Sequence, residues 1–240
     1  MAMPPAQRMT PRRRVALLLG GSAGYLDAVG YLTLGLFTAN MTGNTVLLGI
    51  FAGEGRWSAA GRALLALALF FVGATLAGVA ARRQIRLAGL LAAEAAALLA
   101  GLAYWDAALG RARGTVEAPG ALALIALFSI AMGIQSAAVR RVGEHRISTT
   151  YVTGTLTSLA TDVAADLLTG ARRRGQGVEG RARQGGTALL AGVWGSYLAG
   201  ALTGGFAEFR WGLWALAAPT AVLTSMAVWD LWGTGASGGR

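Results

Sequence analysis

Cysteine and lysine are absent, and histidine occurs once, at His145. Without thiols there are no disulfides, no thiol catalysis and no thiolate metal sites. A single imidazole also excludes a histidine-rich metal cluster. Charge is scarce: charged residues make up 13% of the chain, against about 25% in ordinary soluble domains. A water-facing surface needs far more than this. What the chain has instead is apolar, with 55% hydrophobic residues and 36 glycines among 240. Several apolar runs exceed the roughly 18 residues that cross a bilayer core. The composition reads as an all-α polytopic membrane protein whose main partner is the lipid bilayer.

The net charge is +10, and all 21 basic residues are arginine. In a soluble chain that balance would suggest nucleic acid or an anionic surface. Here the arginines fall in short hydrophilic gaps between apolar runs, as the positive-inside rule requires, so no nucleic-acid partner is needed. The basic start, with Arg8, Arg12, Arg13 and Arg14, superficially resembles a signal peptide. Its apolar run continues to Phe37 with no small-residue cleavage site ahead of a soluble domain, so a retained first span is expected.

The expected organisation is a basic cytoplasmic tail over residues 1–14, one transmembrane domain over 15–232 and a C-terminal tail over 233–240. Within the domain the apolar runs are Val15–Phe37, Ala63–Ala81, Leu87–Leu109, Ala118–Val139, Gly185–Ala207 and Trp211–Trp232. Trp211 and Trp214 at one end, with Trp229 and Trp232 at the other, read as two aromatic belts. Six full spans with both termini inside would place Arg82, Arg83, Arg86, Arg140, Arg141 and the Arg172–Arg183 loop in the cytoplasm. Only Arg56, Arg62, Arg111, Arg113 and Arg210 would lie outside. Eight spans would even out that split, so six fits the charge rule better.

Two polar segments interrupt this pattern. Phe37–Ile50, FTANMTGNTVLLGI, packs threonine and asparagine around Gly43, and Thr149–Ser158, TTYVTGTLTS, repeats its core. After the first, the apolar stretch Thr45–Ala52 is far too short to cross the membrane alone, and both segments are read as broken, re-entrant elements. The match extends outward. Gly24-Tyr25-Leu26-Asp27-Ala28 aligns with Gly133-Ile134-Gln135-Ser136-Ala137, and the stretch from Gly73 to Gly78 aligns with that from Gly195 to Gly200. The expected architecture is therefore a 3+3 inverted repeat, 15–110 and 118–232, because an odd number of spans per half turns the second half upside down. Gly20-x-x-x-Gly24 permits close helix approach, and the Gly-rich faces offer a surface for a homodimer.

These same residues, GYLDAVGYLTLG followed by FTANMTGN, then AMGIQSAAVRRVG followed by TTYVTGTLTSL, resemble the YoaK-like family of bacterial inner-membrane proteins, a domain-of-unknown-function family. The resemblance runs from Val15 to Trp232. It implies a multi-span protein of the cytoplasmic membrane.

The chemistry expected of the polar residues follows from their cost in hydrocarbon, where unpaired backbone groups are expensive and survive only beside protein or a wet cavity. Thr42 and Asn44, or Thr153 and Thr155, are suited to cap short helices starting at Thr45 and Leu156. Gly43 and Gly154 allow a turn and a close ligand approach. The expected solute site is Asn40, Thr42, Gly43 and Asn44 with Gln135, Thr153, Gly154 and Thr155. Asp27, midway along the first span, is the candidate for proton or ion coupling. Glu94 and Asp162 are further candidates, although Glu94 has a competing role as ion-pair partner of Arg82, Arg83 or Arg86. Asp166 is expected to pair with Arg172 or Arg173, and His145 to be solvated. The competing reading of the threonines and asparagines is that they only hydrogen-bond packed helices.

No phosphate-binding loop, zinc signature or nucleophile–base pair is present, so neither an enzyme nor a cofactor is expected. The function expected is a secondary transporter or facilitator of a small polar or anionic solute. The alternatives are a channel using the same crossed segments and a non-transporting membrane scaffold or sensor.

Overall fold

A computed structural model describes residues 10–109, 120–142, 152–169 and 178–235. Every element in it is helical. In chain order these are α1 (Pro11–Leu34), α2 (Met41–Gly53), α3 (Trp57–Arg82) and α4 (Leu87–Tyr104), which runs on into a π-turn at Trp105–Leu109. Then come α5 (Gly120–Val142), α6 (Val152–Thr169), α7 (Val178–Trp211), a 3-10 turn at Gly212–Leu216 and α8 (Ala217–Gly235). Five stretches are long and apolar enough to cross a bilayer: Arg13–Leu34, Trp57–Arg82, Leu87–Ala107, Gly120–Arg140 and Ala188–Trp232. The protein is membrane-embedded.

Helix α1 starts where its sequence allows. Thr10 caps it by accepting from the Arg13 amide, and Pro11 takes the first helical position, where a missing N–H costs nothing. It stops at Gly35, whose left-handed backbone (φ 69°) lets its amide bond back to the Tyr31 carbonyl. The first span thus ends three residues short of Phe37 (37 − 34 = 3), and the helix after it begins at Met41. The cap is Asn40, whose side chain accepts from the Gly43 amide at 3.0 Å. Thr42 and Asn44 lie inside the first turn and do not cap a helix from Thr45. Likewise α6 begins at Val152, so Thr153 to Thr155 are helical.

Packing is set by glycine. Helix α1 lies most extensively on α7, and α3 on α5. At the first crossing a Cβ on Gly24 would strike the Tyr197 carbonyl, and one on Gly200 would strike the Gly21 carbonyl. At the second, Gly133 faces the Phe70 carbonyl and Gly73 the Ile130 carbonyl in the same manner. Backbones touch at both crossings, the close approach that small residues permit in membranes. Helix α5 sits at the centre and is mostly buried, whereas the outer helix α3 buries little of its apolar stretch. Its Leu64, Phe71, Leu76 and Val79 are exposed, as lipid-facing residues should be. The core between α1, α4, α5 and α8 is filled by Leu19, Leu98, Phe128 and Leu223. At the N-terminal start of α4, the Asp230 carboxylate of α8 accepts from the Ala88 amide at 3.1 Å. Arg86 in turn donates to the Asp230 carbonyl.

Candidate functional site

Ending α1 at Leu34 and restarting at Met41 leaves the elbow between them with amides that no helix satisfies. Asp27, two turns before the end of α1 and only 3% exposed, reaches them. Its Oδ1 accepts from the amides of Ala39 (2.6 Å) and Asn40 (3.1 Å) and from the Thr38 hydroxyl (3.5 Å). Its Oδ2 accepts from the Tyr197 hydroxyl of α7 at 2.6 Å. These amides precede the first turn of α2, so the carboxyl also sits at the positive end of that helix dipole. One side chain therefore ties together α1, the elbow and α7.

Asn44 holds the other side of the elbow. It is fully buried, its Oδ1 accepting from the Phe37 amide (2.9 Å) and its Nδ2 donating to the Phe37 carbonyl (2.7 Å). Gly43 has a steric role here. A Cβ there would stand 2.7 Å from the Phe37 ring, which itself stacks on Tyr31. Asp27, Asn40, Gly43 and Asn44 thus form one assembly. Thr42 belongs to the opposite, exposed side of α2.

The remaining expected residues lie elsewhere. Gln135, fully buried on α5, donates from Nε2 to the Leu19 carbonyl of α1 at 2.9 Å. Leu19 lies eight residues (27 − 19 = 8), or about 12 Å of helix, from Asp27. Glu94 is fully buried on α4 and neither of its carboxyl oxygens has a hydrogen-bond partner, so it is not the ion-pair partner of a nearby arginine. Asp162 is half-buried on α6, and Gly154 is exposed. The side chains of Thr153, Thr155 and Asp166, as well as all of His145, Thr149 and Thr150, lie outside the described residues. Helix α2 rests on α3, and α6 on α7.

Tyr197 is the residue that sequence reasoning missed. Its signal was available: a tyrosine in the middle of an apolar run needs a partner for its hydroxyl. Tyr25, which donates to the Ala215 carbonyl at 2.8 Å, carried the same signal. Among the described residues no group of three or more His, Cys, Asp or Glu side chains could hold a metal ion.

Comparison with known proteins agrees with this picture of a membrane-embedded bundle. The family model described as "Protein of unknown function (DUF1275)" matches residues 15–229. The chain is also similar to the UPF0700 transmembrane protein YoaK of Bacillus subtilis (strain 168). The two are 39% identical over 158 residues, which is 65% of this chain and 69% of that protein. No solved structure matches. The chain belongs to the DUF1275 family.

Proposed function

We propose that this protein is a secondary transporter or facilitator of a small polar or anionic solute in the cytoplasmic membrane. One observation carries the reading: a membrane helix breaks at Gly35 and restarts at Met41, with a buried carboxyl gathering the freed amides. Broken helices and intramembrane acids mark solute and ion sites in transporters. Asn40, Gly43 and Asn44 at the elbow line the solute site; Thr42 faces away from it, and Gln135 and the Thr153–Gly154–Thr155 segment belong to other helices. Asp27, Glu94 and Asp162 couple the solute to an ion. The chain crosses six times with both termini inside, since Ala188–Trp232 contains two long helices joined at Gly212, whose φ is 61°.

The inverted repeat draws support from the two glycine crossings. Gly24 and Gly133 are aligned positions, and each meets a carbonyl of the partner helix, Tyr197 or Phe70. Gly200 and Gly73 meet Gly21 and Ile130, which are aligned in turn. This register pairs Gly73 with Gly200, where sequence alone had suggested Gly195.

A second reading, the non-transporting scaffold, is favoured by one fact: both polar ends of Asn44 are consumed by the elbow's own backbone. Purified protein screened for thermal stabilisation across a solute panel separates the two, followed by uptake of any hit into proteoliposomes. Transport predicts a stabilising solute whose uptake responds to a pH gradient in wild type and loses that response in Asp27→Asn. Intact protein with no stabilising solute and no uptake would leave the scaffold standing.

A further inference from the structure

Four buried side-chain atoms among the described residues lack a hydrogen-bond partner: Thr33 Oγ1, both carboxyl oxygens of Glu94 and Gln135 Oε1. Three of the four belong to two residues that helix packing sets at one level. Leu90, Glu94, Ala97 and Gly101 form a stripe along α4 at helical spacing. The position of that stripe against α5 is fixed at both ends. A Cβ at Gly101 would collide with the Phe128 ring, and Leu90 clusters with Ile134 and Ala138. The helices therefore run antiparallel; seven residues back from Gly101 (101 − 94 = 7) and seven on from Phe128 (135 − 128 = 7) reach facing positions, and the Leu90 anchor agrees to about one turn. Those positions are Glu94 and Gln135, both fully buried.

The amide is oriented by its other contact. Gln135 bonds the Leu19 carbonyl at 2.9 Å. Only the NH2 end can donate to a carbonyl, so Oε1 is the end left over. Glutamate and amide oxygen would then face each other as acceptors with no donor between them, an unfavourable arrangement in a dry interior. One proton removes the conflict. A carboxylic acid donates through its O–H, and Gln135 Oε1 gains the partner it lacks.

We propose that Glu94 is an exchangeable proton-binding site whose bound proton is shared with Gln135, bridging α4 through α5 to α1. A proton needs no volume, which suits a side chain with no exposed surface on a packed helix. A divalent cation would need about six oxygens, and the two residues offer three. The charged and titratable groups on the elements packed against α4 lie towards helix ends: Arg140 and Arg141 on α5, Asp230 on α8 and Asp106 in the π-turn. The α4 residue Tyr104 is at its own C-terminal end. The 3-10 turn contributes none. The proton leaves Glu94 for water and returns from it, so the exchange needs no other reactant. The inference rests on the transport reading only in giving Glu94, one of its three coupling residues, a proton and a partner, and its test stands alone.

Infrared spectroscopy of the full-length protein in lipid nanodiscs reads that test. The expected result is a protonated-carboxyl carbonyl band near neutral pH that moves on deuterium exchange and disappears reversibly under alkaline titration. It should vanish in Glu94→Gln and shift to higher frequency in Gln135→Leu, which removes the acceptor. If Glu94→Gln does not fold, Glu94→Asp serves instead and should shift the band. A spectrum with no band dependent on residue 94 overturns the proposal, and so does a band that persists until the protein denatures. Absence of a shift in Gln135→Leu would sink the shared-proton bridge. Should the band behave as expected while no solute moves, the transport reading fails and the proton site survives.

Discussion

Among the described residues two carboxyl groups are buried, and their surroundings could hardly differ more. Asp27 accepts from four donors, three in the elbow and one on α7. Glu94 accepts from none. A buried acid saturated with donors is part of the architecture, because removing it strands every donor that it satisfied. A buried acid that accepts from no donor leaves none stranded when it is removed, so satisfying backbone or hydroxyl donors does not account for its presence. Burial alone would have ranked the two alike.

The comparison predicts a graded series in thermal unfolding of purified protein. Asp27→Ala should cost most, about 3–5 kcal/mol, because the Ala39 and Asn40 amides and the Tyr197 hydroxyl lose their acceptor together. A loss as small as that of a surface substitution would show that the elbow does not depend on Asp27. Asn44→Ala comes next, at about 2–3 kcal/mol, since it leaves both polar groups of Phe37 unpaired. Tyr197→Phe removes one hydrogen bond to a carboxyl and should cost about 1–2 kcal/mol. Its unfolding midpoint should fall between those of wild type and Asp27→Ala. Glu94→Gln should change stability least, within about 1 kcal/mol, because no donor is stranded and the glutamine NH2 can donate to Gln135 Oε1 in place of the acid O–H. If it proved as damaging as Asp27→Ala, the contrast between the two acids would collapse.

Much of this architecture was legible in the chain. The apolar runs and the glycines at positions 24, 73, 133 and 200 lie where helices and crossings are found, whereas the expected Arg172–Arg183 loop runs into α7, which begins at Val178. The elbow was legible only in outline. Asn40, Thr42 and Asn44 are all good caps by type, and local sequence gives no means to choose among them. The choice falls to Asn40 through tertiary contacts: Asn44 is drawn inward to Phe37, and Asp27 fixes the turn before Met41. Gly43 looked like a hinge, and its neighbour proves to be an aromatic ring. The Gly73 register was ambiguous for a simpler reason, that glycine-rich apolar sequence aligns with itself at more than one offset.

The two glycine crossings also limit how this molecule can move. Each joins one helix from the first half of the chain to one from the second, backbone against backbone, so the sequence halves cannot separate as rigid bodies. The natural slabs are α1 with α7 and α3 with α5. The seam between them runs along α1 and α5, where the Gln135 amide grips the Leu19 carbonyl. Any sliding of one slab past the other must first release that grip.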